Sequence, residues 1–325
     1  MILGIESTAH TFGIGIVNNG KILANVKDSY TTESGGIIPI DAAKHHRDAS
    51  RVVLDKALET AEIKLKDIKA VAFSQGPGLA PCLIAGKNFA VELADELKVP
   101  IIGVNHCIAH LEIGKTTGAK DPVMLYASGA NTQIIAYAGG KYRVFGETLD
   151  IGVGNFIDTF ARGAGLGFPG GPKIAELAEK SKNYIELPYS IKGMDVSFSG
   201  LLTKLQQMLN QKKASIEDLS FSLQETAFAM LVEAGERALA HTGKNELILG
   251  GGVACNKRLK EMCEIMCKER KAKFFCPENQ FLVDNGGMIA YLGEIMFKSG
   301  IKETNLDKVD IKPKERTDDI VVSWK

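Results

Sequence analysis

The chain has 325 residues, 45% of them hydrophobic and 24% charged, which is ordinary for a globular protein and long enough for two lobes or domains. Its 39 basic and 39 acidic residues cancel, which excludes a whole-molecule attraction to a polyanion, so any RNA contact needs local patches or a partner. Six cysteines without an extracellular framework spacing, no apolar leader and no membrane-length apolar run predict a cytoplasmic protein without a membrane segment.

The first predicted unit is a three-stranded meander in residues 2–30. It consists of a strand, a small polar loop, a second strand, a tight turn at Asn19-Gly20 and a third strand. Residues 122–150 repeat this order with a turn at Gly139-Gly140, at an offset of 120 residues. The pattern therefore predicts an internal duplication.

Each meander is followed by helices that alternate with buried strands. The predicted elements are a helix at 41–62, a strand at 70–74, a helix at 81–97, a strand at 100–104, helices at 153–165, 172–180 and 215–242, a strand at 246–249, and helices at 256–270 and 285–299. Two such halves face each other across a cleft whose loop amides suit a phosphate chain.

This organisation predicts a fold class of α/β, the two-lobed fold of actin, sugar kinases and chaperone ATPases around a nucleotide cleft. We expect an N-terminal lobe at 1–120 and a C-terminal lobe at 121–300. The remaining residues, 301–325, are expected to form a tail that packs back on the N-terminal lobe.

A candidate metal site is the pair His106 and His110 in His-Cys-Ile-Ala-His. Their spacing of four residues brings both imidazoles to one face of a helix, where a single ion can bind both. Asp284 could add an oxygen ligand or simply cap the last helix. A zincin protease has a glutamate after its first histidine, and this chain has Cys107 there, which disfavours proteolysis by that mechanism.

A candidate nucleotide loop is Gly250-Gly251-Gly252, between a predicted strand and the helix that starts at Asn256. Glycines allow a ligand to approach the backbone closely, and a helix N-terminus favours an anion, although a flexible turn would look the same. A second glycine-rich run at 163–172 is a weaker signal. His45 and His46 lie on a predicted helix with Lys44 and Arg47, which favours a solvated or interface role.

The chain closely resembles the universal tRNA threonylcarbamoyladenosine-synthesis family, the transferase subunit of the archaeal and eukaryotic KEOPS complex and of its bacterial counterpart. The markers occur in order along nearly the whole chain: GIESTAH at 4–10, SQGPGL at 74–79, GVNHCIAH at 103–110, YASGANTQ at 126–133, FGETLDIGVGN at 145–155, GFPGGP at 167–172, DVSFSGLL at 195–202, GGGVACN at 250–256 and DNGGMIAY at 284–291. The phrase around the two histidines resembles archaeal or eukaryotic members more than bacterial ones.

The resemblance implies an acyltransferase. Such an enzyme takes threonylcarbamoyl-AMP, made elsewhere from threonine, bicarbonate and ATP, and moves the threonylcarbamoyl group to the N6 amine of the adenosine 3′ of the anticodon. The expected partners are tRNA, a small atypical protein kinase or ATPase, and small accessory subunits. The expected cofactors are one divalent metal ion, iron or zinc, and an adenine nucleotide.

The resemblance also implies site residues. The expected metal ligands are His106, His110, Tyr126 and Asp284. The residues expected to hold the nucleotide are Tyr126, Ala127, Ser128, Gly129, Ala130, Asn131, Asp158, Gly171, Gly251, Gly252 and Asn256, with Glu6 and Ser7 of the first polar loop as secondary candidates.

Two positions depart from the family pattern. Ala130 stands where the family has a second glycine, and Ala175, beside Glu176, stands where members often place an acid for the ribose hydroxyls. Both changes predict looser nucleotide binding.

Two other interpretations remain open on the sequence. A sugar or acid kinase of the same fold would use similar loops, but such kinases carry an aspartate in the first loop, where this chain offers only Glu6. A nucleotide-sensing scaffold within a larger complex would also suit the neutral net charge.

Overall fold

The computed structural model describes residues 1–32 and 36–325, and its strands form two five-stranded sheets and a short hairpin. The strands are β1 Ile2–Glu6, β2 Thr11–Asn18, β3 Lys21–Ser29, β4 Ala70–Gly76, β5 Ile101–Asn105, β6 Val123–Ala127, β7 Thr132–Ala138, β8 Lys141–Glu147, β9 Ile191–Lys192, β10 Asp195–Val196, β11 Glu246–Gly250 and β12 Lys273–Phe275. The first sheet has the order β3-β2-β1-β4-β5 and the second has the order β12-β11-β6-β7-β8.

The two sheets have matching topology, which confirms the duplication expected from the sequence. In each sheet an antiparallel meander precedes parallel strands, β4 and β5 in the first and β11 and β12 in the second. Both hairpin turns are at the predicted positions. Asn19 and Gly20 have φ of 51° and 77°, and Gly139 and Gly140 have 59° and 79°, as a type I′ turn requires.

Ten α-helices cover and connect the sheets within the described residues. They are α1 Pro39–Ala61, α2 Ala80–Leu97, α3 His106–Gly114, α4 Val153–Gly163, α5 Gly171–Ala178, α6 Ser199–Asn210, α7 Ile216–Thr242, α8 Lys257–Glu269, α9 Asn279–Leu282 and α10 Gly286–Lys298. The predicted helices agree with these bounds to within about two residues, whereas α6, α9 and the short strands β9, β10 and β12 were not predicted from the sequence.

The core between the two sheets is built around α3 and α10. It joins Ala70 and Ala72 of β4 and Ile102 of β5 to Met124 of β6 and Ile248 of β11 through the buried faces of the two helices. Separate cores lie on the outer faces of the sheets. Because α3 and α10 contact both halves, the two helices fill the space between the sheets and join the halves in one core.

The C-terminal segment contacts both sheets. Glu303 forms a bridge with Ile101 beside the first sheet, and Asp318 accepts a hydrogen bond from Val144 N in β8 of the second, at 2.8 Å. The lobe and tail boundaries expected from the sequence stay a prediction. No helix in residues 1–32 and 36–325 combines the length and apolar character needed to cross a bilayer.

Candidate active site

The two histidines of the candidate metal site lie on α3, which begins directly at the end of β5. Asn105 caps this helix, since its side-chain oxygen accepts a hydrogen bond from Ile108 N at 3.1 Å. His106 and His110 are one turn apart, both are buried, and their ring centroids are 4.8 Å apart. The short strand-to-helix connection therefore points both imidazoles into the region between the sheets.

Asp284 reaches the same place from the segment that precedes α10. Its Oδ1 is 3.4 Å from His106 Nε2 and 3.5 Å from His110 Nε2. The three possible ligand atoms lie within 4.8 Å of one another. The alternative role as a helix cap falls to its neighbour, because Asn285 accepts a hydrogen bond from Met288 N at 2.9 Å. Asp284 is thus free to face the histidines.

The donor set fits a divalent metal ion. His110 is buried and neither ring nitrogen has a close hydrogen-bond partner among the described residues; the Asp284 carboxylate stands 3.5 Å from Nε2, which leaves room for an ion to bind this nitrogen and the carboxylate together. Two imidazole nitrogens and a carboxylate oxygen are ligands that zinc and iron accept. The Tyr126 hydroxyl lies 3.1 Å from His106 Nε2, so this expected ligand is also at the site.

The electrostatics of the cluster favour a positive charge at its centre. Burial opposes the charge on His106, but Glu6 and Asp284 outweigh it and raise the pKa of His106 to about 9. Burial likewise opposes ionisation of Asp284, yet the charge of His106 lowers the pKa of that carboxyl below its ordinary range. The two carboxylates thus stabilise a cation between them.

Glu6 orients the ring of His106 from the side opposite to Asp284. This residue ends β1, is fully buried, and its Oε2 is 2.9 Å from His106 Nδ1. Its other oxygen accepts hydrogen bonds from Thr8 N and Thr8 Oγ1, at 2.7 and 2.5 Å. A proton on Nδ1 leaves Nε2 as the nitrogen that faces Asp284, as in carboxylate–histidine–metal arrangements. Ser7, the other secondary candidate, packs its hydroxyl against Gly86 of α2 instead.

The predicted nucleotide loops lie directly beside this cluster. Gly250 pairs with Tyr126 in the second sheet, and a Cβ on Gly250 would lie 3.7 Å from the Cβ of His110. Gly251 has φ +89°, and a Cβ there would lie 2.3 Å from the carbonyl oxygen of Ala127. Only glycine allows the triple-glycine loop to touch the loop after β6 in this way.

Comparison with known proteins identifies the family. Residues 21–291 match the sequence model of the TsaD family, described as tRNA N6-adenosine threonylcarbamoyltransferase. The chain belongs to this family.

Relatives named tRNA N6-adenosine threonylcarbamoyltransferase are similar to the TsaD-family chain over its whole length. The protein of Thermococcus sibiricus is 57% identical and that of Thermococcus kodakarensis is 58% identical, each over 99% of this chain and 99% of the relative. A Methanosarcina mazei protein named as a probable bifunctional tRNA threonylcarbamoyladenosine biosynthesis protein is 55% identical over 99% of this chain and 59% of its own length.

Solved structures of low identity share the fold. HypF of T. kodakarensis aligns with a TM-score of 0.64 at 15% identity, over 92% of this chain and 48% of that one. An activator of 2-hydroxyisocaproyl-CoA dehydratase from Clostridium difficile, solved with bound ADPNP, aligns with a TM-score of 0.56 at 13% identity, over 93% and 98%. The two-lobed actin-like fold expected from the sequence is confirmed.

Asp158 and Gly171, two of the expected nucleotide residues of this TsaD-family chain, lie together where α4 meets α5. Asp158 Oδ1 accepts a hydrogen bond from Gly170 N at 2.7 Å, and burial raises the pKa of this carboxyl. Space around Gly171 is open. Glu176, the acid beside Ala175, is exposed and pairs with Lys180 at 2.8 Å, and its role toward a ribose stays a prediction.

Asn256 has a structural role in addition to the expected contact with a nucleotide. Its side-chain oxygen caps α8 by accepting from Arg258 N at 2.8 Å, and its amide donates to Gln224 at 2.8 Å. Within the loop after β6, Ser128 N donates to the carbonyl oxygen of Asn131 at 2.9 Å, which closes a tight turn. The roles of these residues toward a nucleotide stay predictions.

The link between Glu6 and His106 was not predicted, because the two residues are 100 positions apart. A signal did exist: Glu6 is a carboxylate at the end of an otherwise apolar first strand, where a charge needs a buried partner. The sequence favoured a solvated or interface role for His46, and the solvated alternative is wrong. Its side chain is completely buried, and its Nε2 lies 3.0 Å from the carbonyl oxygen of Ala9.

Proposed function

We propose that the protein transfers threonylcarbamoyl from threonylcarbamoyl-AMP to the N6 amine of the adenosine 3′ of the anticodon, in tRNAs that read codons beginning with A. The observation that carries the proposal is the contact between two sites. A cluster of metal-type ligands, His106, His110 and Asp284, adjoins a pair of glycine-supported loops that suit an adenylate. Membership of a transferase family supports the same reaction.

His106, His110, Asp284 and Tyr126 would hold one divalent ion, iron or zinc. Such an ion, when bound, supplies Lewis acidity and a positive charge near the oxygens of the acyl phosphate. The chain itself keeps the ligands in place, because Glu6 fixes the ring of His106 and the capped start of α3 fixes both imidazoles.

The nucleotide part of the donor would lie on the loops around Ser128, Gly251 and Gly252, with Asp158, Gly171 and Asn256 at its rim. Backbone N–H groups in these loops suit the phosphate. This placement would bring the activated carbonyl toward the metal-type ligands. Positioning of this kind lowers the activation free energy by several kcal/mol.

The reaction needs no covalent intermediate on the protein. The mixed anhydride is already activated, so the amine forms the new C–N bond while the bond from the carbonyl carbon to the phosphate oxygen breaks, AMP leaves, and the nitrogen loses one proton to solvent. Cys107, between the two histidines, is unsuited to act as a nucleophile, because burial raises the pKa of its thiol to about 12.

A kinase role is less well supported by the site. Glu6 is the acid that the first loop offers, and both of its oxygens are engaged by His106 and Thr8. A carboxylate held in this way is not free to activate a sugar hydroxyl.

The test of the proposed function is the His110→Ala variant. We expect it to lose the bound metal, measured by elemental analysis, and to lose transfer of labelled threonine from the adenylate to tRNA, because one of the two imidazoles among the four expected ligands is removed. His241→Ala, which removes an exposed histidine at the end of α7, is the matched control and should keep both. Full transfer by metal-free His110→Ala protein would refute the metal-assisted mechanism.

The proposed partners are inferred from the proposed function. We infer that tRNA is the acceptor and that a small atypical protein kinase or ATPase and small accessory subunits of a KEOPS-type complex assist in the cytoplasm. The M. mazei relative supports a second component, since this chain accounts for 59% of that protein. Co-purification of the tagged chain with such subunits, and their effect on transfer, would test this assembly.

A further inference from the structure

Lys27 lies on the inner face of the first sheet, next to the candidate metal site. It is in β3 directly opposite Gly13 of β2, and directly paired residues of antiparallel strands point to the same face. A Cβ on Gly13 would lie 2.9 Å from Gly286 N, which shows that this face is the one covered by the start of α10. Lys27 therefore points toward the segment that carries Asp284.

The neighbour on the same face confirms this direction. Asn25 is two residues before Lys27, and alternate residues of a strand share a face. Its side-chain oxygen accepts a hydrogen bond from Gly287 N at 3.0 Å, so Asn25 touches the first turn of α10. Lys27 follows Asn25 by two residues on the same face of β3. Its side chain therefore extends toward the residues just before α10, which include Asp284.

Lys27 carries its ammonium group on the inner face of the first sheet rather than on the outer one. The residue is accessible to solvent, yet burial lowers the pKa of its side chain, which Asp284 and Cys255 raise in part. Cys255 follows the triple-glycine loop of the second lobe and precedes Asn256. The geometry agrees, because Asn25 on the same face of β3 reaches the carbonyl oxygen of Gln280 at 3.5 Å and Cys255 reaches that of Asn279 at 3.9 Å, so this face lies near the segment before Asp284 and near the end of the triple-glycine loop.

Lys27 also lacks a committed partner. Among the residues that the structure describes, it forms no ion pair, and Asp284, toward which its face of the sheet points, already faces His106 and His110. An accessible lysine with a free ammonium group beside the candidate site is suited to bind an anion that enters with the substrate.

We propose that Lys27 binds an anionic oxygen of the acyl donor, on its phosphate or on its threonyl carboxylate, and so holds the donor in the cleft. The inference rests on the proposed function, which supplies the donor. It assigns to the N-terminal lobe a direct contact with a substrate that the predicted loops bind mainly from the C-terminal lobe.

The test compares Lys27→Ala, Lys27→Gln and Lys27→Arg with Lys21→Ala. Lys21 is the matched control, because it is an exposed lysine at the far end of the same strand, beside the hairpin turn. Calorimetry with metal-loaded protein measures the Kd for AMP and for a non-hydrolysable threonylcarbamoyl-AMP analogue. Steady-state assays measure KM for threonylcarbamoyl-AMP and for tRNA separately.

We expect Lys27→Ala and Lys27→Gln to raise the Kd and KM for the donor about tenfold to a hundredfold, as loss of a charge-assisted hydrogen bond does. KM for tRNA, the metal content and the melting temperature should stay at wild-type values, and Lys27→Arg should recover most of the affinity. If AMP binding weakens as much as binding of the analogue, the phosphate is the anion; if only the analogue is affected, it is the carboxylate.

Two results would overturn the inference. One is a change confined to KM for tRNA, which would assign Lys27 to the RNA backbone; the other is donor binding equal to that of Lys21→Ala protein. Failure of the proposed function is distinguishable, since wild-type protein would then bind the donor analogue without transferring to tRNA, and the binding comparison would still decide the role of Lys27.

Discussion

At the scale of single residues, the candidate site depends on Glu6, a carboxylate that contacts His106 but is not one of the three convergent ligand groups. Glu6 holds His106 Nδ1 at 2.9 Å and is itself held by Thr8. The carboxylate thus sets which nitrogen of the imidazole faces Asp284, and it does so from another strand of the sheet.

The Glu6→Gln variant tests this role. The amide keeps the size of the side chain but removes its charge, so we expect metal affinity to fall about tenfold to a hundredfold, as for other groups that orient a metal-bound histidine. Metal titration with a competing chelator gives the affinity. Glu59→Gln, on the exposed side of α1, is the control that should bind metal normally. Unchanged affinity in Glu6→Gln protein would show that His106 is oriented by its helix alone.

A second residue-scale prediction concerns His46, whose stability contribution depends on pH. Burial lowers the pKa of His46 from 6.5 to about 4. The unfolded chain therefore binds a proton at this residue near pH 6.5, whereas the folded chain binds it only near pH 4. The contribution to the free energy of unfolding is therefore complete above pH 6.5, falls as the pH drops toward 4, and levels off below it. Its size is about 3 kcal/mol.

Urea denaturation between pH 4 and 7 measures this contribution. The His46→Gln variant can still donate to the carbonyl of Ala9 but does not titrate, so its stability should fall less steeply with acid than that of the parent protein. His241→Gln removes an exposed histidine and should follow the parent curve. Parallel curves for His46→Gln and the parent would contradict the prediction.

At the scale of elements, the position of Asp284 depends on how closely α10 approaches the first sheet. A Cβ on Gly15 of β2 would lie 2.3 Å from Gly287 N, and one on Gly4 of β1 would lie 2.1 Å from Ala290 N. The helix therefore packs backbone to backbone against the meander. This contact is what brings the residue before α10 to the histidines of α3.

The Gly15→Ala variant should move the start of α10 away from the sheet. The added methyl group has no space beside backbone atoms, so we expect a loss of about 1–3 kcal/mol in stability and a weakened metal site although all ligands remain. Chemical denaturation and metal titration measure the two effects. Gly200→Ala is the control, because the space around Gly200 in α6 is open. Normal metal affinity in folded Gly15→Ala protein would show that Asp284 does not depend on this contact.

The elements also show what a sequence can and cannot predict. Long periodic segments such as α7, and the meanders with their Asn-Gly and Gly-Gly turns, carry strong local signals and were predicted. The strand β12 has three residues, too few to carry a period. In α6 the buried Leu201, Leu205 and Met208 do follow a helical spacing, so that signal was present and was overlooked.

The site shows the same limit. The spacing of His106 and His110 is a local signal, the residues alone left Asp284 open between a ligand and a helix cap, and the resemblance to a family added Tyr126 and favoured Asp284 as a ligand. Neither source indicated the contact of Glu6 with His106 or the role proposed for Lys27, since these depend on which strands pair and on where α10 packs. Contacts between residues far apart in the chain become visible only in the folded structure.

At the scale of the whole molecule, the C-terminal segment ties the two sheets together behind the metal-type ligands. Lys312 N donates to the carbonyl oxygen of Gln75 in β4, and Glu315 accepts from the side chain of Asn105, the residue that caps α3. Further along, Trp324 packs on the core between the sheets, and Lys325 lies 3.5 Å from the ring centroid of Tyr137. The segment crosses from one sheet to the other.

This arrangement predicts a single cooperative unfolding transition, although chains of more than about 150 residues often unfold in steps. The helices α3 and α10 form one core with both sheets, so neither half can lose its packing without exposing the apolar surface of the other. Trp324, the single tryptophan, reports on the C-terminal segment through its fluorescence, and far-UV circular dichroism reports on the helices. In urea both signals should change at the same midpoint, and a saturating divalent ion should raise both midpoints together. Trp324→Phe protein, which should lose the fluorescence change but keep the circular dichroism transition, verifies the origin of the signal. A fluorescence transition at clearly lower urea would contradict the prediction, because the segment would then detach before the lobes unfold.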